Sequence, residues 1–112
     1  MLTIYFMRSE RNIVKIGFTS RSATARAREL RQSFNRPYKV LATVNFKGDL
    51  LKGLAMEKMI QYIFANRCSR CEYDSKTNDH FNIDGRYSDK TLIRCFNECA
   101  EQALALISTI EP

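Results

Sequence analysis

The chain has 112 residues, 45% of them hydrophobic and 11% aromatic. That is enough for one packed core, too short for two, and too apolar for a disordered tail. No apolar run approaches the roughly 18 residues of a membrane span. Lys and Arg number 18 against 12 Asp and Glu, a formal charge of +6, and the excess is local: residues 1–40 hold nine basic and two acidic side chains, the remainder nine and ten. A one-sided positive field suits a polyanionic partner, nucleic acid foremost, although a solubilising arginine surface satisfies the same arithmetic. The N-terminus lacks a basic-then-apolar secretory pattern, so a cytoplasmic location is expected. In that compartment the 4 cysteines serve as thiols or metal ligands rather than disulfides.

Residues 2–7 and 13–18 are short and rich in β-branched and aromatic side chains, and polar Arg8–Asn12 separates them. This predicts a β-hairpin with a five-residue loop, its core face carrying Leu2, Ile4, Phe6, Val14, Ile16 and Phe18. The symmetrical register pairs Phe6 with Val14, Ile4 with Ile16, and Tyr5 with Lys15; a slip of two residues keeps the last two on one face. Residues 20–34 predict a helix with Ser20 or Ser22 as N-cap and an apolar face of Ala23, Leu30 and Phe34. Arg26 lies along the edge of that face, with Arg21, Arg28 and Arg31 further toward solvent. A strand over 38–46 and a long helix over 50–67 follow, the helix burying Leu51, Leu54, Ala55, Met59, Ile60 and Ile63. Residues 68–79 read as polar and irregular, and 81–83 as a short extended piece. Ser88 or Asp89 caps a last helix carrying Leu92, Phe96, Cys99, Ala103, Leu106 and Ile110.

Thr3-Ile4-Tyr5, nine further residues, and Lys15-Ile16-Gly17-Phe18-Thr19 together resemble the paired signature of the GIY-YIG nuclease superfamily, in its T5orf172/MUG113 branch. The likeness continues through Arg26 with Leu30, Glu57, Phe64, Arg67 and Asp79-His80-Phe81, and covers about residues 1–84. Thr3 stands where the superfamily has Gly, Lys15 where most members have Tyr, and Gln61 where the branch usually has His.

The resemblance implies hydrolysis of a DNA phosphodiester with one divalent ion, Mg²⁺ or Mn²⁺. Tyr5 would be the general base, its phenolate favoured by Lys15, which would also orient the nucleophile or meet a phosphate oxygen. Arg26 would present a planar fork to the scissile phosphate, and Glu57 would hold the metal. Each residue also has a plain structural role open to it. Tyr5 suits strand packing, Lys15 a solvated edge, and Arg26 a stem laid over apolar surface; Glu57 falls off the aliphatic stripe of its helix.

Arg21, Arg28, Arg31, Arg36 and Lys39 are candidate contacts to the DNA backbone. Nothing in the sequence supplies a base-reading element. Cys68, Cys71, Cys95 and Cys99 form a candidate zinc set, but Cys99 lies on an apolar helical stripe where a thiol is usually core, and His80 is either a substitute ligand or structural. The reading is one α+β domain over 1–112, a GIY-YIG-like three-stranded antiparallel sheet flanked by helices with an extra C-terminal helix at 88–110. The expected activity is a metal-dependent DNA endonuclease, with a homodimer or protein partner to restrain it. The rival readings are a nuclease-like nucleic-acid- or protein-binding module without cleavage, and a zinc-stabilised adaptor.

Overall fold

A computed structural model describes residues 2–67, 72–74 and 80–110. The chain runs β1 (Leu2–Arg8), β2 (Ile13–Thr19), α1 (Ala23–Phe34), β3 (Lys39–Phe46), α2 (Leu50–Arg67), β4 (Glu72–Asp74), β5 (His80–Asn82) and α3 (Asp89–Ile110). The five strands form one antiparallel sheet in the order β3-β1-β2-β5-β4, two strands wider than expected. β4 and β5 have three residues each, too few for alternation to stand out in sequence, and β4 lies within the tract read as irregular.

The first hairpin turns over Ser9–Asn12, closed by Ser9 N donating to Ile13 O at 2.9 Å. Arg8 belongs to the strand and pairs with Val14, so the turn is centred one residue later than expected and the register slips by two. Tyr5 therefore pairs with Gly17, Phe6 with Ile16 and Met7 with Lys15. The slip preserves both faces, because side chains alternate with period two. Ile4, Phe6, Val14 and Ile16 face α2 and α3, whereas Tyr5 and Met7 face α1 through Ala27 and Leu30. The larger core is strung on aromatic rings: Phe6 stacks on Phe96 at 4.9 Å and meets Phe64 at 5.5 Å, and Phe64 meets Phe81 at 5.3 Å. These contacts join β1, α3, α2 and β5 through one connected cluster.

α1 begins at Ala23, with Ser22 Oγ accepting from Ala25 N at 3.1 Å, which decides the cap in favour of Ser22 over Ser20. It ends at Asn35 in the left-handed region (φ 52°), which Asn tolerates, and Phe34 is left 41% exposed rather than buried. β3 starts at Lys39, one residue later than expected.

α2 has the expected limits but a different buried face. Gly53, Met56, Glu57, Ile60, Gln61, Ile63 and Phe64 point inward, while Leu51, Leu54 and Ala55 are exposed. Gly53 explains the rotation. A Cβ there would lie 2.9 Å from Leu2 and 3.1 Å from Phe18, so the helix backbone rests directly on β1 and β2 at this residue. Residues 57 and 61 follow on the same face at successive helical turns.

Ser88 caps α3, accepting from Thr91 N at 3.1 Å, and Ile107 packs toward the core where Leu106 had been expected; Leu106 is exposed. Asp89 in the first turn receives Lys39 of β3 on Oδ2 and Arg8 of β1 on Oδ1, both at 2.8 Å. The hydrogen bonds from Lys39 and Arg8 hold its carboxyl below the usual range. A depressed folded value means that the stabilisation is complete above the ordinary carboxylate pKa of about 3.9 and is lost as pH falls through the folded value. Asp89→Asn should therefore lower stability at pH 7 by on the order of 1 kcal/mol or less, since the group is partly screened by water. In urea melts the gap between parent and variant should close toward pH 2–3, near and below that carboxylate range.

Candidate active site

The site is built on β2, where five consecutive residues have separate tasks. Lys15 is buried and places Nζ 5.7 Å from the centroid of the Tyr5 ring. Gly17 lies beneath that ring, for a Cβ there would come within 2.6 Å of Tyr5 Cζ. Ile16 enters the core, Phe18 lies against Gly53, and Thr19 Oγ1 accepts from Arg21 N at 3.0 Å to turn the chain toward α1. The Tyr5 phenol is thereby fixed over the β2 backbone with an ammonium group beside it.

α2 reaches the same strand from the opposite face. Gln61 Nε2 donates to Ile16 O at 2.8 Å and to Glu57 Oε1 at 3.2 Å. β5 pairs with β2 only as far as Lys15, and Gln61 takes the carbonyl of the next residue. Both acceptors are oxygens, which fixes the orientation of the amide. Glu57 is 5% exposed, with Lys58 Nζ 3.7 Å from its Oε1. Tyr5 and Lys15 thus lie over β2 at Gly17, Glu57 is tied through Gln61 to the carbonyl of Ile16, and the pattern that set Glu57 apart as a solvated charge does not hold.

Arg26 is placed differently. It rides on α1, half-buried, and its Nη1 donates to Glu29 Oε2 at 3.1 Å; Arg21 pairs with the other oxygen of the same carboxylate. Among the described residues its side-chain hydrogen bond is to Glu29. Sequence reasoning had not singled out Glu29, although its i,i+3 spacing from Arg26 is a recognisable signal.

His80 pairs with Lys15 in the sheet register and is 2% exposed. Its Nε2 lies 2.8 Å from Tyr38 Oη, and its ring meets Phe34 edge-on at 5.5 Å. Burial pushes the Tyr38 phenol above its ordinary range, so the phenol keeps its proton, and the tautomer of His80 sets which of Oη and Nε2 donates. Of the two roles open to His80, the described contacts are those of a core hydrogen bond.

The candidate backbone contacts separate into two groups. Arg28 and Arg31 line a cavity of about 250 Å³ with Thr24, Ala27, Tyr38 and Val40. Arg31 and Arg36 line a second, of about 520 Å³, with Asn35 and Pro37. Together they make a cationic flank along α1 and the start of β3. Arg21 and Lys39 are engaged instead with Glu29 and Asp89.

Cys68 and Cys71 lie outside the described residues. Cys95 is half-buried and Cys99 buried; a hydrogen bond with Cys95, together with burial, raises the Cys99 thiol above its ordinary range. Among the described residues no three His, Cys, Asp or Glu side chains gather as a metal cluster. Glu57 is the carboxylate that these residues hold against β2. One oxygen is fixed by an amide, and a cation of the Mg²⁺ class needs only one or two protein ligands beside water and substrate, so the donor set fits such an ion.

The family model of the T5orf172 domain matches residues 2–103. No curated protein and no solved structure matches the chain.

The approach of Tyr5 to Gly17 is testable as a pair. Gly17→Ala should cost about 1–3 kcal/mol in urea unfolding by overpacking. Tyr5→Leu removes the ring atoms in conflict, and in that background the added cost of Gly17→Ala should shrink by at least about 1 kcal/mol. Additive costs would show that the ring does not set the demand for glycine.

Proposed function

The chain belongs to the T5orf172 domain family, a nuclease-associated family, and from that premise we propose that it is a metal-dependent DNA endonuclease that hydrolyses phosphodiester bonds. The observation that supports this reading is the Tyr5 phenol held over Gly17 beside the Lys15 ammonium, on the strand whose Ile16 carbonyl Gln61 links to the buried Glu57.

Tyr5 takes the proton from the attacking water through its phenolic oxygen. A phenol has an ordinary pKa of about 10, and the Lys15 cation favours its phenolate. Gly17 keeps the phenol in one orientation, as general-base catalysis requires. Arg26 exchanges Glu29 for the scissile phosphate and presents its fork to the charge that develops there. Glu57 would hold Mg²⁺ or Mn²⁺, which when bound supplies positive charge for the leaving oxygen. Gln61 replaces the family's usual His with a neutral amide whose two N–H groups tie Glu57 to the sheet. Arg28, Arg31 and Arg36 hold the flanking backbone.

A second reading, a nucleic-acid-binding module of the same fold without cleavage, draws on one observation: Arg26 is paired with Glu29 rather than directed at Glu57. Supercoiled and branched DNA incubated with Mg²⁺ or Mn²⁺ separates the two. Glu57→Ala and Arg26→Ala should each reduce cleavage by about two orders of magnitude or more. Gln61→Ala should reduce it about 10- to 100-fold and raise the metal concentration needed, as expected when a ligand loses its orienting partner. Undiminished cutting by both Glu57→Ala and Arg26→Ala would sink the assignment; DNA binding with no cutting at all would favour the second reading.

A further inference from the structure

Beside Glu57, α2 presents Lys58, Gln61, Tyr62 and Ala65 along one face, at the i, i+3, i+4, i+7 spacing, and with Phe81 of β5 they line a cavity of about 370 Å³. That volume falls within the range of about 300–1,000 Å³ usual for small-ligand clefts. Its lining is carbon-rich, and its rim holds the Tyr62 side chain, 72% exposed, with no ring or hydrogen-bond partner for that side chain among the described residues. Gln61 lines the same cavity and is 5% exposed. Both its amide hydrogens are engaged, by Ile16 and Glu57, and its Oε1 accepts no hydrogen bond among the described residues. Lys58 lies between this cavity and the carboxylate, with Nζ 3.7 Å from Glu57 Oε1.

We propose that this cavity receives one unpaired nucleobase of the DNA strand whose phosphodiester lies at Glu57. The inference rests on the nuclease reading for its placement and extends it to substrate class. The chemistry of the lining selects the occupant. An apolar wall with an exposed tyrosine at its rim stacks on any base without a hydrogen-bond readout. The cation between the cavity and Glu57 meets the phosphate that joins them. A base in a duplex is stacked on both sides, so only an extruded or single-stranded base offers its face to Tyr62. The protein would therefore favour substrates with an unpaired nucleotide next to the cut, such as flaps, bubbles or single strands.

The test is binding of fluorescently labelled single-stranded oligodeoxynucleotides to the full chain in EDTA, where no cleavage intervenes. One oligonucleotide carries ordinary bases, and a second of equal length and charge is abasic throughout. The parent protein should bind the first about tenfold or more tightly than the second. Tyr62→Phe should keep that preference, and Tyr62→Ala should lose most of it while binding the abasic strand as the parent does. Equal binding of the two strands by the parent, or an undiminished preference in Tyr62→Ala with unchanged circular dichroism, overturns the proposal. A protein that prefers bases but never cuts DNA fails the endonuclease assignment alone, and one that cuts while ignoring the base fails this inference alone.

Discussion

The passage of the Tyr5 ring across Gly17 is the constraint on which the site depends. Two paired strands leave little room between a cross-strand side chain and the opposing backbone, and here the phenol fills the space where a Cβ would stand. The register that produces this overlap also sets Lys15 two residues along on the same face, beside the ring, and exposes the carbonyl of Ile16 to Gln61. One glycine thus locates the phenol and the ammonium group on a strand that a single amide links to the carboxylate. A hairpin displaced by two residues would keep every side chain on its proper face and still dismantle this arrangement.

The two faces of the sheet divide the work. One carries the larger cluster, in which Phe6, Phe64, Phe81 and Phe96 bind α2 and α3 to the strands. The other carries the smaller cluster of Tyr5, Met7, Ala27, Leu30 and Tyr38. The charged chemistry sits where these two regions meet, at the edge of β2 beyond the last pairing with β5. Burying Lys15 and Glu57 there is costly unless each is partnered, and both are.

Much of the architecture was legible in the sequence because the elements are locally consistent. The limits of α2 follow from a composition rich in helix formers on both sides of Gly53, and Tyr5, Lys15, Gly17 and Glu57 follow from a spaced signature. What was not legible depends on distance along the chain. Leu51 and Leu54 belong to the apparent apolar stripe of α2, yet the contact of Gly53 with Leu2 and Phe18 turns them outward. The same rotation carries Glu57 and Gln61 inward, which no periodicity within the helix announces. Lys39 meets Asp89 across 50 residues, so its ion pair has no sequence signature. β4 is too short to leave a pattern. The partnership of Tyr38 with His80 likewise requires β3 and β5 to be folded before either side chain has an environment.

α1 buries two residues, Ala27 and Leu30, whereas α2 buries seven. Few buried apolar contacts make for low local stability, so the first helix belongs to the softer part of the molecule and the second to its chassis. Arginine and carboxylate are therefore mounted on parts of unequal stiffness. Any yielding of α1 shifts the arginine relative to the carboxylate and is felt by Tyr5 as well, whose ring packs against Ala27 and Leu30 of that helix.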